Sequence, residues 1–323
     1  MQDPNRRADR GAAILDRRII PENFDWREYD SVPERTKVRP ASDFSSILID
    51  QIFAEGQHQG AYWPWAKANE KGLRFRRQEV TVYAGINGHR KSTLVGQIAL
   101  SLMNQDEPCL MASFEMTPQK TLERMVKQSA GCATPTMRYI KSWSQWTDGR
   151  LWLYDHLGQC DARQILAVAR YATAELGVKH IFIDSMMKIV SGVDDYNGQK
   201  RFVADLGTLA MASDCHVHLV AHARKGKDET DKLDKFDVKG AGEIIDQAHN
   251  AVLVQKNLRG AAGDVEMFVT VAKQRDGAYE GTLGFWFNGD AMTFGEKPGG
   301  RWPPIVPQEF REAELEREPG QEG

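Results

Sequence analysis

The sequence of 323 residues lacks the features that mark several classes of protein. Its cysteines include no Cys-x-x-Cys pair; they are Cys109, Cys132, Cys160 and Cys215. This spacing argues against a zinc ribbon and a disulfide scaffold, and it fits a reducing compartment. No apolar run approaches the length of a membrane helix, and the basic first residues contain aspartates but no apolar stretch. We therefore expect a soluble, cytoplasmic protein.

An excess of basic charge is also absent. The formal net charge is −3, so the surface as a whole is not a footprint for nucleic acid. Contacts with phosphate backbones must come from a local patch, or from a channel built by several copies of the chain. Hydrophobic residues make up 41% and charged residues 27% of the chain, which is typical of a globular protein with a sizeable core.

Composition divides the chain into three parts. Residues 1–58 are largely polar and form a tail that ends in a predicted linker helix over Ser45–Phe53. This helix either packs on its own domain or docks on a neighbouring subunit. Residues 59–296 form one large domain, and residues 297–323 are rich in proline and glutamate, which predicts a disordered acidic tail.

Apolar strands alternate with longer helical patterns from about Glu79 onward. The patterns predict strands at 80–84, 109–114, 152–154, 178–183 and 217–221, and helices at 92–103, 118–129, 161–176 and 202–212. This alternation is typical of an α/β fold with a mostly parallel twisted sheet and helices on both faces. After Asn250, strands at 251–254, 266–272 and 282–287 predict an antiparallel C-terminal extension.

A phosphate-binding loop follows the first strand. Residues 85–93 read Gly-Ile-Asn-Gly-His-Arg-Lys-Ser-Thr, close to the pattern G-x-x-x-x-G-K-[S/T] between a strand and a helix. Lys91 would reach the β- and γ-phosphates and the Ser92 hydroxyl would bind Mg²⁺. Arg90 replaces the second glycine, and it either hinders the loop, points outward or adds positive charge near the phosphates. The candidate nucleotide-binding residues are Gly85, Asn87, Gly88, His89, Arg90, Lys91, Ser92 and Thr93, with Phe285 as a candidate for stacking on the base.

Polar side chains end three further strands. Asp184 closes an apolar strand, where P-loop ATPases have a carboxylate that assists the metal. Glu115 follows the second strand, where it could polarise the attacking water as a general base. His222 follows the strand at 217–221 and would lie near the γ-phosphate. In isolation each residue fits a structural role equally well or better, and the upstream phosphate loop favours the functional interpretation.

The motifs together resemble the replicative hexameric helicase family, which includes DnaB, the phage helicase-primases and Twinkle. The resemblance covers roughly residues 72–294 and depends on the order of several segments. These are the phosphate loop, Ser113-Phe114-Glu115-Met116, Ile181–Ser185, Ala221–Arg224, Val238–Gly242 and Ala272–Gly277. It implies a RecA-like ATPase fold, ATP and Mg²⁺ as cofactors, and Glu115 as the catalytic base.

The resemblance also implies a role for neighbouring subunits and for DNA. Arg275 would be an arginine finger that reaches the γ-phosphate of an adjacent subunit, with Lys273 as its companion. The implied DNA contacts are Arg224, Lys225, Lys239, Gly240 and Ala241. Primase-type zinc cysteines are absent, so the implied partners are single-stranded DNA, further copies of the chain as a hexamer, and a separate primase and DNA polymerase.

We therefore expect an ATP-dependent replicative DNA helicase that moves on single-stranded DNA as a ring-shaped hexamer. The resemblance implies 5′→3′ polarity and a phage or prophage origin. A second hypothesis is a RecA-like recombinase ATPase that forms filaments. A third is a P-loop nucleotide-binding module with weak turnover, which only Arg90 suggests.

Overall fold

The computed structural model describes residues 41–53, 60–190, 195–222, 241–261 and 263–305. The strands are β1 Ala61–Tyr62, β2 Arg74–Phe75, β3 Val80–Gly85, β4 Cys109–Ser113, β5 Leu151–Leu153, β6 His180–Asp184, β7 His216–His222, β8 Asn250–Lys256, β9 Met267–Gln274, β10 Gly281–Asn288 and β11 Thr293–Gly295. The α-helices are α1 Ser45–Phe53, α2 Ala66–Glu70, α3 Lys91–Met103, α4 Pro118–Ala130, α5 Met137–Trp146, α6 Ala162–Leu176, α7 Tyr196–Ala212 and α8 Ala241–Gln247. Short 3₁₀ helices lie at Ala41–Phe44 and Met186–Lys188.

The main sheet has the strand order β11-β10-β9-β8-β3-β7-β6-β4-β5. The strands from β5 to β8 in this order are parallel, and the pairs of β8 with β9, β9 with β10 and β10 with β11 are antiparallel. This arrangement confirms the predicted α/β fold of the RecA-like kind. The prediction that the antiparallel extension includes the strand after Asn250 is wrong in one respect, because β8 pairs with β3 in parallel.

The core lies on both faces of this sheet. Strand β3 shows the division, since Val80, Val82 and Ala84 pack with α6 and α7, whereas Tyr83 packs with α3, α4 and α5. A strand covered on both sides carries apolar residues on both faces, which is why its sequence does not alternate regularly between apolar and polar residues. The sequence patterns do not predict the antiparallel pair of β1 and β2, nor α2, α5, α8 and β11, which are short or carry polar side chains.

Local signals at the ends of two helices match the structure closely. The Thr117 side chain accepts a hydrogen bond from the Lys120 N–H at the start of α4, and Asp161 does the same for Arg163 at the start of α6. Both helices end at a glycine with a left-handed backbone, Gly131 or Gly177.

The two ends of the described chain differ in their packing. A helix is present at Ser45–Phe53, and its role as a linker stays a prediction. The apolar residues of this helix, α1, are 50–75% exposed; they are Ile47, Leu48, Ile49, Ile52 and Phe53. At the other end, Ile305 is buried, its N–H donates to Ser129 O at 2.8 Å, and its carbonyl accepts from Tyr139 Oη at 2.9 Å. The expectation of a disordered tail from 297 is therefore wrong for 297–305, and residues 306–323 lie outside the described part. Within the described residues, no helix has the length and apolar character that crossing a bilayer requires.

Three histidines are fully buried where the parallel strands begin. His180 Nδ1 lies 3.1 Å from His218 Nε2, and His218 Nδ1 lies 3.0 Å from Tyr83 Oη. His216 Nε2 lies 2.9 Å from Thr81 Oγ1. Burial lowers the pKa of all three imidazoles, that of His216 to about 3. They are therefore neutral in the folded protein at pH 7.

We expect this cluster to make the fold sensitive to acid. Histidines of the unfolded chain bind protons below pH about 6.5, whereas these three stay neutral in the folded chain. Stability should therefore fall as the pH drops from about 6.5, by up to about 1.4 kcal/mol per pH unit for each histidine. The measurement is the free energy of unfolding in urea at several pH values between 7.5 and 4.5.

The variant His218→Gln isolates this contribution from that of the carboxylates. The slope of its unfolding free energy against pH should be smaller than that of the parent. The difference should correspond to the uptake of about one proton fewer on unfolding. Parallel curves for the two proteins would show that His218 does not resist protonation in the fold.

Candidate nucleotide-binding site

The carboxyl ends of four parallel strands meet at one edge of the sheet. Gly85 of β3 is in register with His222 of β7, and Ser113 of β4 is in register with Asp184 of β6. The phosphate loop, Glu115, Asp184 and His222 all emerge at these ends. Binding sites in open α/β sheets form outside this edge of the sheet.

The phosphate loop wraps around the ammonium group of Lys91. Strand β3 ends at Gly85, where a Cβ atom would collide with the carbonyl oxygen of Val254 in β8. The chain then turns at Gly88, which has a φ of 78°. Lys91, only 5% exposed, opens α3 and donates from Nζ to Gly85 O at 2.8 Å and to Ile86 O at 3.0 Å. The loop is thus closed around a cation at a helix N-terminus, an arrangement that suits a phosphate group.

The charge of Lys91 is balanced by two acids. Burial lowers the pKa of Lys91 to about 8, and the negative charges of Asp184 and Glu115 raise it in part. A bound phosphate would add further negative charge and favour the protonated ammonium.

Ser92 and Asp184 form the part of the site that could hold a metal. Ser92 and Asp184 line the same small cleft, and the Ser92 hydroxyl acts on the Asp184 carboxyl. Burial raises the pKa of Asp184, whereas Ser92 and the charge of Lys91 lower it. Among the described residues, no group of three or more His, Cys, Asp or Glu side chains could hold a metal ion. A hydroxyl and a carboxylate next to a phosphate loop fit Mg²⁺, which prefers oxygen ligands and needs few from the protein.

Glu115, Ser185 and His222 form a hydrogen-bonded group beside Lys91. Ser185 Oγ donates to Glu115 Oε1 at 3.2 Å, and His222 Nε2 lies 3.2 Å from the same hydroxyl. His222 Nε2 is 3.9 Å from Glu115 Oε1. Burial, then the positive charge of Lys91, lowers the pKa of His222. The Glu115 side chain remains 46% exposed, so its carboxylate is held in place and also open to water.

Arg90 keeps the left-handed backbone that the motif assigns to glycine, with a φ of 63°. A side chain in that conformation costs about 1–2 kcal/mol. The guanidinium lies 3.5 Å from the centre of the Phe287 ring, and Nη1 is 3.9 Å from Met267 Sδ. A cation over an aromatic ring stabilises by about 0.5–2 kcal/mol, which is comparable with the strain. Of the three alternatives for Arg90, the structure shows the outward orientation, toward Phe287.

The other predicted loop residues have different surroundings. His89 is buried, and its Nδ1 accepts from the Lys256 N–H at 3.3 Å, which attaches the loop to β8. Thr93 is buried in the first turn of α3, and Asn87 is exposed at the tip of the loop.

The prediction that Phe285 stacks on a nucleotide base is wrong. Its side chain is fully buried, with the ring centre 4.6 Å from that of Trp65 and the Lys67 ammonium 4.0 Å from it. Side chains alternate along a strand, and the inward position of Phe285 in β10 makes it a core residue.

Arg275 lies at the opposite edge of the sheet from the phosphate loop. Strand β9 runs antiparallel to β8, so its end meets the start of β8, where the Arg275 N–H donates to His249 O at 3.0 Å. Arg275 is exposed. Lys273 Nζ donates to Ile245 O at 2.7 Å and to Asp246 O at 3.0 Å, in the last turn of α8. The structure thus separates Arg275 and Lys273 from the other candidate catalytic residues of the same chain.

The predicted DNA contacts are mostly outside the described part of the chain, since Arg224, Lys225, Lys239 and Gly240 are not described. Ala241 is the first residue of α8.

Sequence reasoning missed Arg124, which faces the metal side of the site from α4. Its Nη2 donates to Met116 Sδ at 2.9 Å, and its charge lowers the pKa of Asp184. Arg124 lines a small cleft together with Ser92, Thr121 and Asp184. The only signal in the sequence is the spacing of three residues between Thr121 and Arg124, which puts both on one face of a helix.

Comparisons with known proteins agree with this fold. Residues 69–228 match the AAA domain family. The ATPase domain of G40P has a TM-score of 0.69 and 15% sequence identity, over 78% of this chain and 96% of that one. A DnaB-like replicative helicase, solved for its interactions with primase, has a TM-score of 0.69 and 16% identity, over 81% of this chain and 69% of that one.

The fold and the loop define a RecA-like P-loop domain. The family match covers the phosphate loop, Glu115, Asp184 and His222, and the two solved structures agree with the RecA-like fold that the resemblance drawn from the sequence implies.

We expect Asp184→Asn to stabilise the protein and to impair its site. Because burial disfavours the charged Asp184 carboxylate, the neutral variant should have a higher free energy of unfolding at pH 8. Its affinity for a fluorescent ATP analogue with Mg²⁺ should fall by about tenfold to a hundredfold, as is usual when a group that orients a metal is changed.

The pH dependence serves as the internal control for this variant. The gain in stability should vanish below pH about 4, where the carboxyl of the unfolded parent is also protonated. A variant less stable than the parent at pH 8, or one with unchanged binding in Mg²⁺, would contradict this account of Asp184.

Proposed function

We propose that this chain is the motor of an ATP-dependent replicative DNA helicase, which moves along single-stranded DNA as a ring of identical subunits. One observation carries the proposal. The phosphate loop and the Glu115–Ser185–His222 group share one edge of the sheet, whereas the exposed Arg275 lies at the other edge. A complete hydrolytic site then requires two copies of the chain.

Hydrolysis at such a site follows from the chemistry of its groups. Lys91 and the N-terminus of α3 would bind the phosphates, and Ser92 and Asp184 would hold Mg²⁺, which would supply positive charge next to the phosphate oxygens. Glu115 orients the attacking water, and its position is maintained by the Ser185 hydroxyl. The neutral His222 beside Ser185 links this group to the chain that continues from β7.

Assembly into a ring explains two exposed features. Arg275 would reach the γ-phosphate of the adjacent subunit, where a guanidinium stabilises charge in the transition state. The apolar side of α1 is exposed on its own subunit and would gain burial by docking on a neighbour. A hexamer is the assembly that the family resemblance implies.

Single-stranded DNA would bind at the segment that leads into α8 and includes its first residue. Lys239, Gly240 and Ala241 are the leading candidates, with Arg224 and Lys225 at its other end. The final carbonyls of α8 accept from Lys273, two residues before Arg275. A shift of α8 on DNA binding would therefore be transmitted through Lys273 to Arg275, the candidate finger. Within its own subunit Lys273 supports α8, and its role as a companion to the finger stays a prediction.

The alternatives have less support. The module with weak turnover was suggested by Arg90 alone, and that side chain points toward Phe287. A filament-forming recombinase would share the fold, and images of closed rings or open filaments decide between the two. We retain 5′→3′ movement, a phage or prophage origin, and a separate primase and polymerase as parts of the proposal.

We expect Glu115→Gln and Arg275→Ala to be inactive alone and active together. Each should lower ATP hydrolysis by about a hundredfold or more, while binding of an ATP analogue stays close to that of the parent. In mixed rings, the Glu115→Gln subunit brings an intact finger to the intact base of the Arg275→Ala subunit. The measurement is ATPase activity after co-expression of both variants under two affinity tags, with purification on each tag in turn.

Recovery of hydrolysis in the doubly purified complex is the result expected for a finger that acts between subunits. Normal hydrolysis by Arg275→Ala alone, or no recovery in a complex that contains both tags, would contradict the shared site.

We expect the parent protein to separate the strands of forked DNA in the presence of ATP and Mg²⁺. Hydrolysis should rise several-fold on addition of single-stranded DNA, because the DNA segment is connected to the finger through α8. The measurement is strand displacement with each nucleoside triphosphate, on forks that carry only a 5′ or only a 3′ tail. Displacement only from the 3′ tail would overturn the polarity, and ATP hydrolysis that no DNA stimulates would overturn the motor.

A further inference from the structure

Arg90 has a strained backbone, and its guanidinium packs against the ring of Phe287. Its φ of 63° lies in the region that glycine adopts freely and other residues rarely do. Strain of this kind persists only where the surroundings hold the residue in place. Here the guanidinium lies 3.5 Å from the centre of the Phe287 ring, on β10 and outside the phosphate loop.

The Phe287 ring is itself fixed by its neighbours. It packs edge-on against Phe294, with the ring centres 5.2 Å apart and an angle of 68° between planes. The Phe287 N–H donates to Glu266 Oε2 at 2.6 Å, and the negative charge of Glu266 also acts on Arg90. Met267 Sδ completes the surroundings of the guanidinium at 3.9 Å. Ring, carboxylate and thioether thus give Arg90 one preferred orientation.

We propose that Arg90 is a positioning residue, which holds the phosphate loop in its nucleotide-binding conformation through its contact with Phe287. The inference rests on the proposed function, since it assumes that this loop binds a nucleoside triphosphate. Glycine, which the motif has at this place, adopts this backbone conformation without strain. At Arg90 the contact with Phe287 offsets the strain. The antiparallel part of the sheet, which also carries Arg275 beyond the end of β9, thereby supports the phosphate loop.

Two substitutions of Arg90 separate strain from charge. Arg90→Ala removes the contact and keeps a side chain in the strained conformation, so the loop should lose its binding shape. Arg90→Gly removes the same charge and also removes the strain. We therefore expect Arg90→Ala to weaken binding of a fluorescent ATP analogue with Mg²⁺ by about fivefold or more, and Arg90→Gly to bind within about twofold of the parent.

A substitution of the ring tests the partner. Phe287→Leu should weaken binding about as much as Arg90→Ala, and it should have little effect when combined with Arg90→Gly. Phe287→Tyr keeps the aromatic face and should bind like the parent. Trp286→Leu is the matched control, because it removes an aromatic side chain from the opposite face of the same strand.

The outcomes that overturn the proposal are distinct from those that overturn the function. Equal affinity of Arg90→Ala and Arg90→Gly for the ATP analogue would show that the backbone strain at this position does not affect nucleotide binding, and it would overturn the proposal. An equal effect of Phe287→Leu with and without Arg90→Gly would show that the two residues act independently. Both results would leave nucleotide binding itself intact.

A double-mutant cycle in urea unfolding without nucleotide gives a second readout. Coupling between Arg90→Ala and Phe287→Leu is expected, and its absence overturns the contact whatever binds at the loop. A parent protein with coupled residues that binds no ATP analogue would overturn the proposed function, and with it the role of Arg90 toward nucleotide.

Discussion

The parallel register of β3, β4, β6 and β7 is the constraint on which the site depends. Because these strands run in one direction, the residues that follow them appear together at one edge, although the first and the last of them are more than a hundred residues apart in the chain. Lys91, Glu115, Asp184 and His222 are brought into one electrostatic group in this way. A slip of one residue in this pairing would turn the side chains to opposite faces and disperse the group.

The acids and the lysine of this group are kept in a state that favours a polyanionic ligand. Burial lowers the pKa of Lys91 and raises that of Asp184, so each charge depends on the other for part of its stabilisation. In the free protein these buried charges are therefore only partly compensated for the loss of hydration. A triphosphate with its metal would supply further opposite charges and stabilise them. Arg124 takes part in the same interaction, because burial lowers its pKa and the negative charge of Asp184 raises it.

The antiparallel strands extend this scheme to a second edge. Strand β9 reverses direction beside β8, which carries Arg275 away from the loop of its own chain. The same strands support the loop from the side, through Phe287 and Arg90. One small addition to the parallel sheet therefore serves the site of its own subunit and, in the proposed ring, that of the next.

The sequence by itself determined the order of the longer strands and helices of the main sheet, the ends of α4 and α6, and the positions of Lys91, Ser92, Glu115, Asp184 and His222. These depend on local periodicity, on caps, and on the rule that parallel strands end together, all of which can be read along the chain. Only the tertiary structure decided the direction of the Arg90 side chain, the burial of Phe285, the part played by Arg124 and the packing of residues 297–305. Each of these depends on which side chain from a distant segment arrives next to it, and no local pattern contains that information.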